Sequence, residues 1–315
     1  VANVIASPRF WKKKAILIKS EATVGTDALP VGAANWIEAR NVTFAPLDVE
    51  TVERNIEQPY FGNGGTLATG RYSTLSFETA LVGPGEAGDA PKIAPLLLAC
   101  AFKETLEVDT SATYDLVSEA IGAVTAYINI DGTLHKMVGC RGTATITIGA
   151  KAIPLIRFEL QSIYTDPTAV GLPAVDKTGW MIEQPVTAAT TLGLTLNAIP
   201  LAYSALEIAL ANQLARIDLP GPQVEVAITD RKPTMSATVL APGLGVFNPF
   251  GLVTAGTVVD ITTTHDNRAG HKAKLEGQVR VIGVEYDNVE GMLAYRLTFE
   301  PWPVDGNDEL TITYL

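Results

Sequence analysis

Apolar and polar residues alternate in short runs along this chain, and the runs come in the same order twice. In the first half Leu75, Phe77, Thr79 and Leu81 alternate with polar or small neighbours, the period of a half-buried strand. A proline-led apolar segment follows at 91–102, then a strand-like run at 105–109, the pair His135-Lys136 and two last strands ending near Tyr164. The second half repeats the order: a run at 235–240, a proline-led segment at 249–255, a run at 257–264, the pair His271-Lys272 and two strands ending near Trp302. Each repeat opens on an arginine and reaches threonine three residues later, at 71–74 and 231–234. Shared order with little shared identity is the trace of an old duplication.

Local signals sharpen this reading. Asp131-Gly132 stands between 124–130 and 133–138 as a hairpin turn. Pro91 opens a short helix with Asp89 near its start, and Asn248-Pro249 opens the matching one. In the second half a strand at 274–286 and another at 292–300 are joined by residues 287–291. Residues 1–20 read as an N-terminal arm, 21–167 as a first β unit, 168–179 as a Pro/Gly/Ala-rich linker and 180–315 as a second β unit. Residues 309–315 form a closing strand that must pair with its own sheet or a neighbour's. A polar stretch from Val52 to Gly70 is too long for a plain connection in a compact domain and carries Tyr60 and Phe61 as apolar anchors.

Composition narrows the function. The chain has 315 residues, 23 basic and 34 acidic, for a net charge of −11. The excess is spread, with 14 basic against 18 acidic over 1–170 and 9 against 16 over 171–315. Such a surface opposes wrapping nucleic acid, which needs lysine and arginine against phosphate. Charged residues make up 18% of the chain, low enough to suggest apolar area buried between subunits. Cys100 and Cys140 are too few for a disulfide framework, and their surroundings read as buried thiols. No apolar run reaches membrane-helix length, so membrane insertion is not expected, and a soluble protein of a cytosol-like compartment is.

Catalytic and metal patterns are missing from this reading. No phosphate loop, nucleophile elbow, zinc-protease helix or calcium loop occurs. His265 and His271 flank residues that spell an exposed turn, and His135 is expected to face solvent. Four tryptophans, Trp11, Trp36, Trp180 and Trp302, are scattered among apolar or proline neighbours, as packing residues are. The expectation is a non-enzyme with no catalytic residue, cofactor or metal.

Two stretches carry a resemblance. Residues 71–102, RYSTLSFETALVGPGEAGDAPKIAPLLLACAF, and 131–143, DGTLHKMVGCRGT, resemble the tail tube (major tail) proteins of long, non-contractile-tailed bacteriophages. Residues 206–214 with 228–235, ITDRKPTM, are similar to the distal part of the longer members. The resemblance implies a mainly β fold of two tandem tail-tube-like β-sandwich modules, each flanked by one short α-helix and forming a β-barrel channel on oligomerisation. It implies rings of six modules, hence trimers of this chain with pseudo-sixfold symmetry, stacked into a tube through which DNA passes without specific binding. Its implied partners are the chain itself, a tape-measure protein, a tail terminator and distal tail or baseplate proteins, in a virion tail assembled in the host bacterial cytoplasm.

Candidate contacts between stacked rings follow from the long loop and the termini. They are Arg54, Glu57, Tyr60 and Phe61 in the loop, Lys12, Lys13 and Lys14 in the arm, and Leu310, Ile312 and Tyr314 in the last strand. Two other readings fit the same residues: a tail terminator, distal tail or baseplate hub ring, and, from another class, a soluble carbohydrate-binding β-sandwich module.

Overall fold

A computed structural model describes residues 8–315. Its strands are β1 (Lys14–Ser20), β2 (Arg40–Glu53), β3 (Thr66–Ala80), β4 (Phe102–Glu107), β5 (Ser111–Leu116), β6 (Val124–Ile130), β7 (Thr133–Gly149), β8 (Leu155–Ile163) and β9 (Thr168–Ala169) in the first half. The second half adds β10 (Leu194–Leu196), β11 (Ile199–Leu201), β12 (Tyr203–Ala209), β13 (Asn212–Asp218), β14 (Val224–Arg231), β15 (Thr234–Leu240), β16 (Val258–His265), β17 (Ala273–Val289), β18 (Met292–Pro301) and β19 (Thr311–Tyr314). Three short helices accompany them, α1 (Gly32–Asn35), α2 (Ala94–Ala99) and α3 (Pro249–Ala255). The fold is mainly β, as expected.

The antiparallel ladders build one long sheet in the order β2-β3-β8-β7-β12-β15-β18-β17. Its first four strands and its last four have the same arrangement: a hairpin strand, its partner, then a strand pair in reversed sequence order. The seam between the sets is β7 against β12, with Thr145 opposite Ala209 and Gly149 opposite Ala205. Two further sheets pack against this one. One runs β1-β6-β7-β9, and the other β11-β10-β16-β17-β19-β5-β4. Strands β7 and β17, each 17 residues long, begin in an outer sheet and end in the long one. Each turns that corner at a ladder irregularity, near Val138/Arg141 and Val281/Gly283, where an unpaired residue lets a strand change sheets.

Alternation decides the core. Leu75, Phe77, Phe158, Leu160, Leu297 and Phe299 point between the layers and are almost fully buried. Helix α2 seals one end with Leu96 and Leu97. Its start differs from expectation: Ile93 is the N-cap, no side chain caps it, and the proline of the first turn is Pro95 rather than Pro91. Helix α3 follows its local signals. Asn248 Oδ1 accepts from Gly251 N at 3.0 Å, Pro249 opens the helix and Gly256 ends it at φ +62°. Both hairpin turns are two residues long, Asp131-Gly132 and Glu290-Gly291, all at positive φ. The second is tighter than the five-residue connection expected, because β17 and β18 extend to Val289 and Met292.

Several contacts stitch the halves besides the seam. Strand β19 pairs on one side with β17 and on the other with β5 of the first half. Leu310, Ile312 and Tyr314 are thereby turned into the core, each at most 1% exposed. The Arg231 guanidinium, itself nearly buried, meets the Glu309 carboxylate at 2.6 Å and donates to Val117 O and Asn307 Oδ1. The turn before β17 presses on the strand leaving β3, with Gly83 N donating to His271 O and Gly85 N to Gly270 O. A Cβ at Gly270, which has φ +74°, would fall 2.3 Å from Gly85 O, so only glycine fits there.

The expected linker continues past 179 as an irregular strap to Leu194. Trp180 packs edge-on against Trp36 and donates to its carbonyl, and Arg40 pairs with Glu183. Thr191 bonds His265 Nδ1 at 2.8 Å. His265 is buried, not on an exposed turn, because the strap covers it. His135 also departs from expectation and stacks edge-on against Phe44.

Two predictions follow from this packing. Ile312→Ala should lower unfolding stability by about 2–4 kcal/mol, since a fully buried branched side chain leaves a cavity between the halves; denaturant titration measures it. Burial holds the His265 pKa below its ordinary value, although Asp266 beside it pulls upward and Arg268 downward. The unfolded chain therefore binds that proton more readily, and the stabilising contribution, full above pH ~6.5, is lost as pH falls through the folded-state value. The drop in melting temperature between pH 7.5 and 5 should be smaller in His265→Gln than in the parent chain.

Candidate assembly surfaces

The long sheet has one face in the core and one in solvent. Across its solvent face runs a registered row of Glu78, Arg157, Thr145, Ala209 and Thr234. A second row carries Ser76, Glu159 and Thr143, and a third Glu207, Ser236 and Thr298. Small hydroxyl and methyl side chains dominate, so the face is smooth. Its arginines are neutralised within the chain, Arg157 by Glu159 at 2.9 Å and Arg296 by Asp287 at 2.8 Å. Glu78, Glu207 and Glu300 have no cation within 4 Å among the described residues. What remains is a weakly acidic surface on which Arg157 and Arg296 are paired, with Arg280, opposite Glu300 near the β17 edge, left without an ion pair among the described residues.

The two lateral edges of this sheet are β2 and the distal part of β17, and among the described residues neither has a strand partner on its outer side. Beside the β17 edge lies exposed apolar surface: Tyr286, Met292 and Leu293, and Phe250 and Val253 of α3. Phe250, Tyr286 and Tyr295 form an aromatic cluster with centroids 5.7–5.9 Å apart. The contrast between helices is informative. Four residues of α2 are buried, but of α3 only Pro249 is.

The stretch expected as a long loop is mostly a protruding hairpin. β2 and β3 pair out to Glu53 opposite Thr66, leaving residues 54–65 as the tip. Beyond Gly70 the hairpin is exposed on both faces, with Val52 and Leu67 in solvent, and Leu47 and Val49 just before it on β2 are exposed as well. At the tip Tyr60 is 68% exposed and Phe61 wholly so, so neither is pinned to its own domain. Arg54 N donates to Gly65 O at the tip's neck, and Arg54 and Glu57 are exposed.

The expected contacts in the terminal segments are placed differently. Residues 1–7 of the N-terminal arm lie outside the described residues. The segment from Pro8 folds back on the Asp131-Gly132 turn: Phe10 N donates to Asp131 Oδ2 at 2.6 Å and Lys13 lies 3.8 Å from Asp131. Lys12 is exposed, whereas Lys14 already belongs to β1. Leu310, Ile312 and Tyr314 correct the expectation of ring-to-ring contact: their side chains are consumed by the core, because β19 fills the gap between β17 and β5. Sequence reasoning also missed Trp11 and Trp302, which are surface residues, and the open edges, which only the ladders reveal.

No group of three histidine, cysteine or acidic side chains gathers among the described residues. Burial raises the pKa of both Cys100 and Cys140 well above the usual thiol value, which leaves them unreactive. Among the described residues no helix is long and apolar enough to cross a membrane. The comparison with curated proteins returns no match. The family profile described as phage tail tube protein matches residues 11–283. Most of the chain lies within that match, and its mainly β architecture agrees with it: the chain belongs to the phage tail tube protein family.

Proposed function

We propose that three copies of this chain close into a ring, that the rings stack into the phage tail tube, and that DNA passes through its lumen during ejection. A structural role in the tail tube, as a virion component, comes with the family. The finer reading rests on one observation: the β7–β12 seam joins two four-stranded sets of the same order, and each end of the joined sheet keeps an unpaired strand of the kind used at the seam.

The two sets superpose in register, with β3 falling on β14–β15 at an offset of 160 residues and β2 on β12–β13 at 163–164. Ala45 lies opposite Thr74 as Ala209 does opposite Thr234. Both long hairpins also skip one residue at the same place, Thr69 between Gly70 and Ala68, and Thr229 between Asp230 and Ile228. We therefore read the chain as two copies of one module, with a boundary in the linker. Carrying the seam's register to the free edges places Glu285 of one copy opposite Ala45 of the next, and Tyr286 opposite Phe44. At the seam the matching pair is Ile146 and Ile208, both buried. Ring closure would likewise cover Tyr286 and the exposed side of α3, and would remove both sheet edges, the aggregation hazard of an open β protein.

In such a ring the smooth face becomes the channel lining. The paired Arg157 and Arg296 and the free carboxylates of Glu78 and Glu207 would let a polyanion slide without capture. The faces of a ring differ, so rings stack head to tail into an open-ended tube. We assign Tyr60, Phe61, Arg54 and Glu57 at the hairpin tip to the contact with the next ring, with Lys12 and Lys13 as further candidates. A tape-measure protein, a tail terminator and distal tail or baseplate proteins would be the other partners, with assembly in the host cytoplasm.

Negative-stain imaging of concentrated protein should show stacked rings with threefold or pseudo-sixfold end views. Closed single rings would instead support a terminator or hub. Mild oxidation of the Phe44→Cys/Tyr286→Cys double variant should give a covalent trimer on a denaturing gel; rings that form without cross-linking would show the edge register to be wrong. Replacing Tyr60 and Phe61 by serine should leave stability within about 0.5 kcal/mol, since both are exposed, yet abolish long tubes.

A further inference from the structure

Hairpin β13–β14 shows within one chain how a hairpin of this kind is seated. It lies across β7 and β8, where Asn212 Nδ2 donates to Gly142 O and Cys100 O, each at 3.0 Å. Arg141 Nη1 donates to Glu225 at 3.1 Å and to Val226 O at 3.0 Å. Arg216 Nε donates to Gln161 at 3.1 Å, and its guanidinium stacks 4.4 Å from the Tyr72 ring. The contact buries Val226 and Tyr72 almost completely.

Hairpin β2–β3 has the same register and the same skipped residue, but among the described residues nothing covers its distal part, 51–53 and 66–69. The surface that would receive it exists in the second half. Arg280 stands opposite Glu300 on the β17–β18 ladder as Arg141 stands opposite Gln161. Lys232, 160 residues beyond Tyr72, occupies the place of that ring. Here the groups that the first half has satisfied are left over. Arg280 Nε is buried without a hydrogen-bond partner, and among the described residues neither Arg280 nor Lys232 makes an ion pair. The Arg280 guanidinium lies 4.7 Å from the Trp302 ring, and Trp302, Ile282 and Val304 are exposed around it.

The register also says what would arrive. Arg216 is opposite Val226, and the matching pair in the first hairpin is Glu53 opposite Thr66. An acid thus replaces the arginine where Lys232 replaces the neutral tyrosine, and the Thr66 carbonyl replaces the Val226 carbonyl that Arg141 binds. We infer that the β2–β3 hairpin of one copy seats on the Lys232–Arg280–Trp302 surface of an adjacent copy, with Glu53 on Lys232 and the Thr66 carbonyl on Arg280. This clasp rests on the ring reading and deepens it. It supplies a polar, orienting contact beside the edge-to-edge ladder, and it distinguishes the correct neighbour by charge.

The test is a charge exchange in the full-length chain. Glu53→Lys and Lys232→Glu should each raise the protein concentration needed for ring formation at least about tenfold, equivalent to some 1.4 kcal/mol per contact. The double variant should recover most of that loss. All three should keep the parent melting temperature, because both side chains are exposed in the isolated chain. The Glu53→Cys/Lys232→Cys variant should cross-link only between chains. Parent rings combined with single variants that assemble normally, or with a double variant no better than the singles, would overturn the clasp while leaving the ring intact. A parent chain that never leaves the monomer would remove the ring reading, and the clasp with it.

Discussion

The antiparallel ladder between β7 and β12 is the interaction on which the rest of the molecule depends. Without it the long sheet would be two four-stranded sheets, each with two open edges, held together through β19–β5 and the contacts around Arg231. With it, backbone hydrogen bonds run unbroken across eight strands, and the core residues on either side, Ile146 and Ile148 against Leu206 and Ile208, fall into one apolar layer. A ladder of this kind is stiff because the backbone groups satisfy one another at a fixed spacing, independent of side-chain identity. It is also repeatable. The joint needs only a strand edge and a matching face, and the chain retains one of each at its ends.

The pleat of that sheet separates two jobs that would otherwise compete. Every second residue belongs to the core and must be large and apolar; the others are free to be threonine, serine, alanine or paired ions. The family's structural role needs no reactive group, and the buried, weakly acidic thiols of Cys100 and Cys140 fit a chain selected for packing rather than chemistry. The molecule offers extended surfaces and open sheet edges, and among the described residues no three histidine, cysteine or acidic side chains converge.

The unequal finish of the two halves carries its own information. The first half is covered: α2 is buried, Tyr72 is capped by Arg216, and β5 is continued by β19. The second half keeps exposed counterparts in α3, Lys232 and Trp302, and a half-buried Arg280 whose Nε has no partner among the described residues. Where two four-stranded sets share one strand order and one is covered while the other is bare, the covered set shows a geometry that the bare one lacks. Apolar exposure at Phe250, Tyr286, Met292 and Leu293 is large for a monomer and gathers beside an unpaired strand rather than being scattered.

Much of this was legible in the amino-acid order. Alternation marked the strands, Asp131-Gly132 marked a turn, and Asn248-Pro249 with Gly256 marked both ends of α3, because each of these is decided within a few residues. The repeat of 71–74 at 231–234 even carried the offset that the ladders later show. Other features could not be read locally. The burial of His265 depends on a strap arriving from residue 191, and the burial of Ile312 depends on β5, nearly two hundred residues earlier. A period of two tells which residues share a face, but not which strand lies beside them. The sequence by itself therefore determined most of the elements, their faces and the order in which they recur. Only the tertiary structure decided which edges are joined and which remain open, because strand pairing is a contact between distant segments that no local pattern encodes.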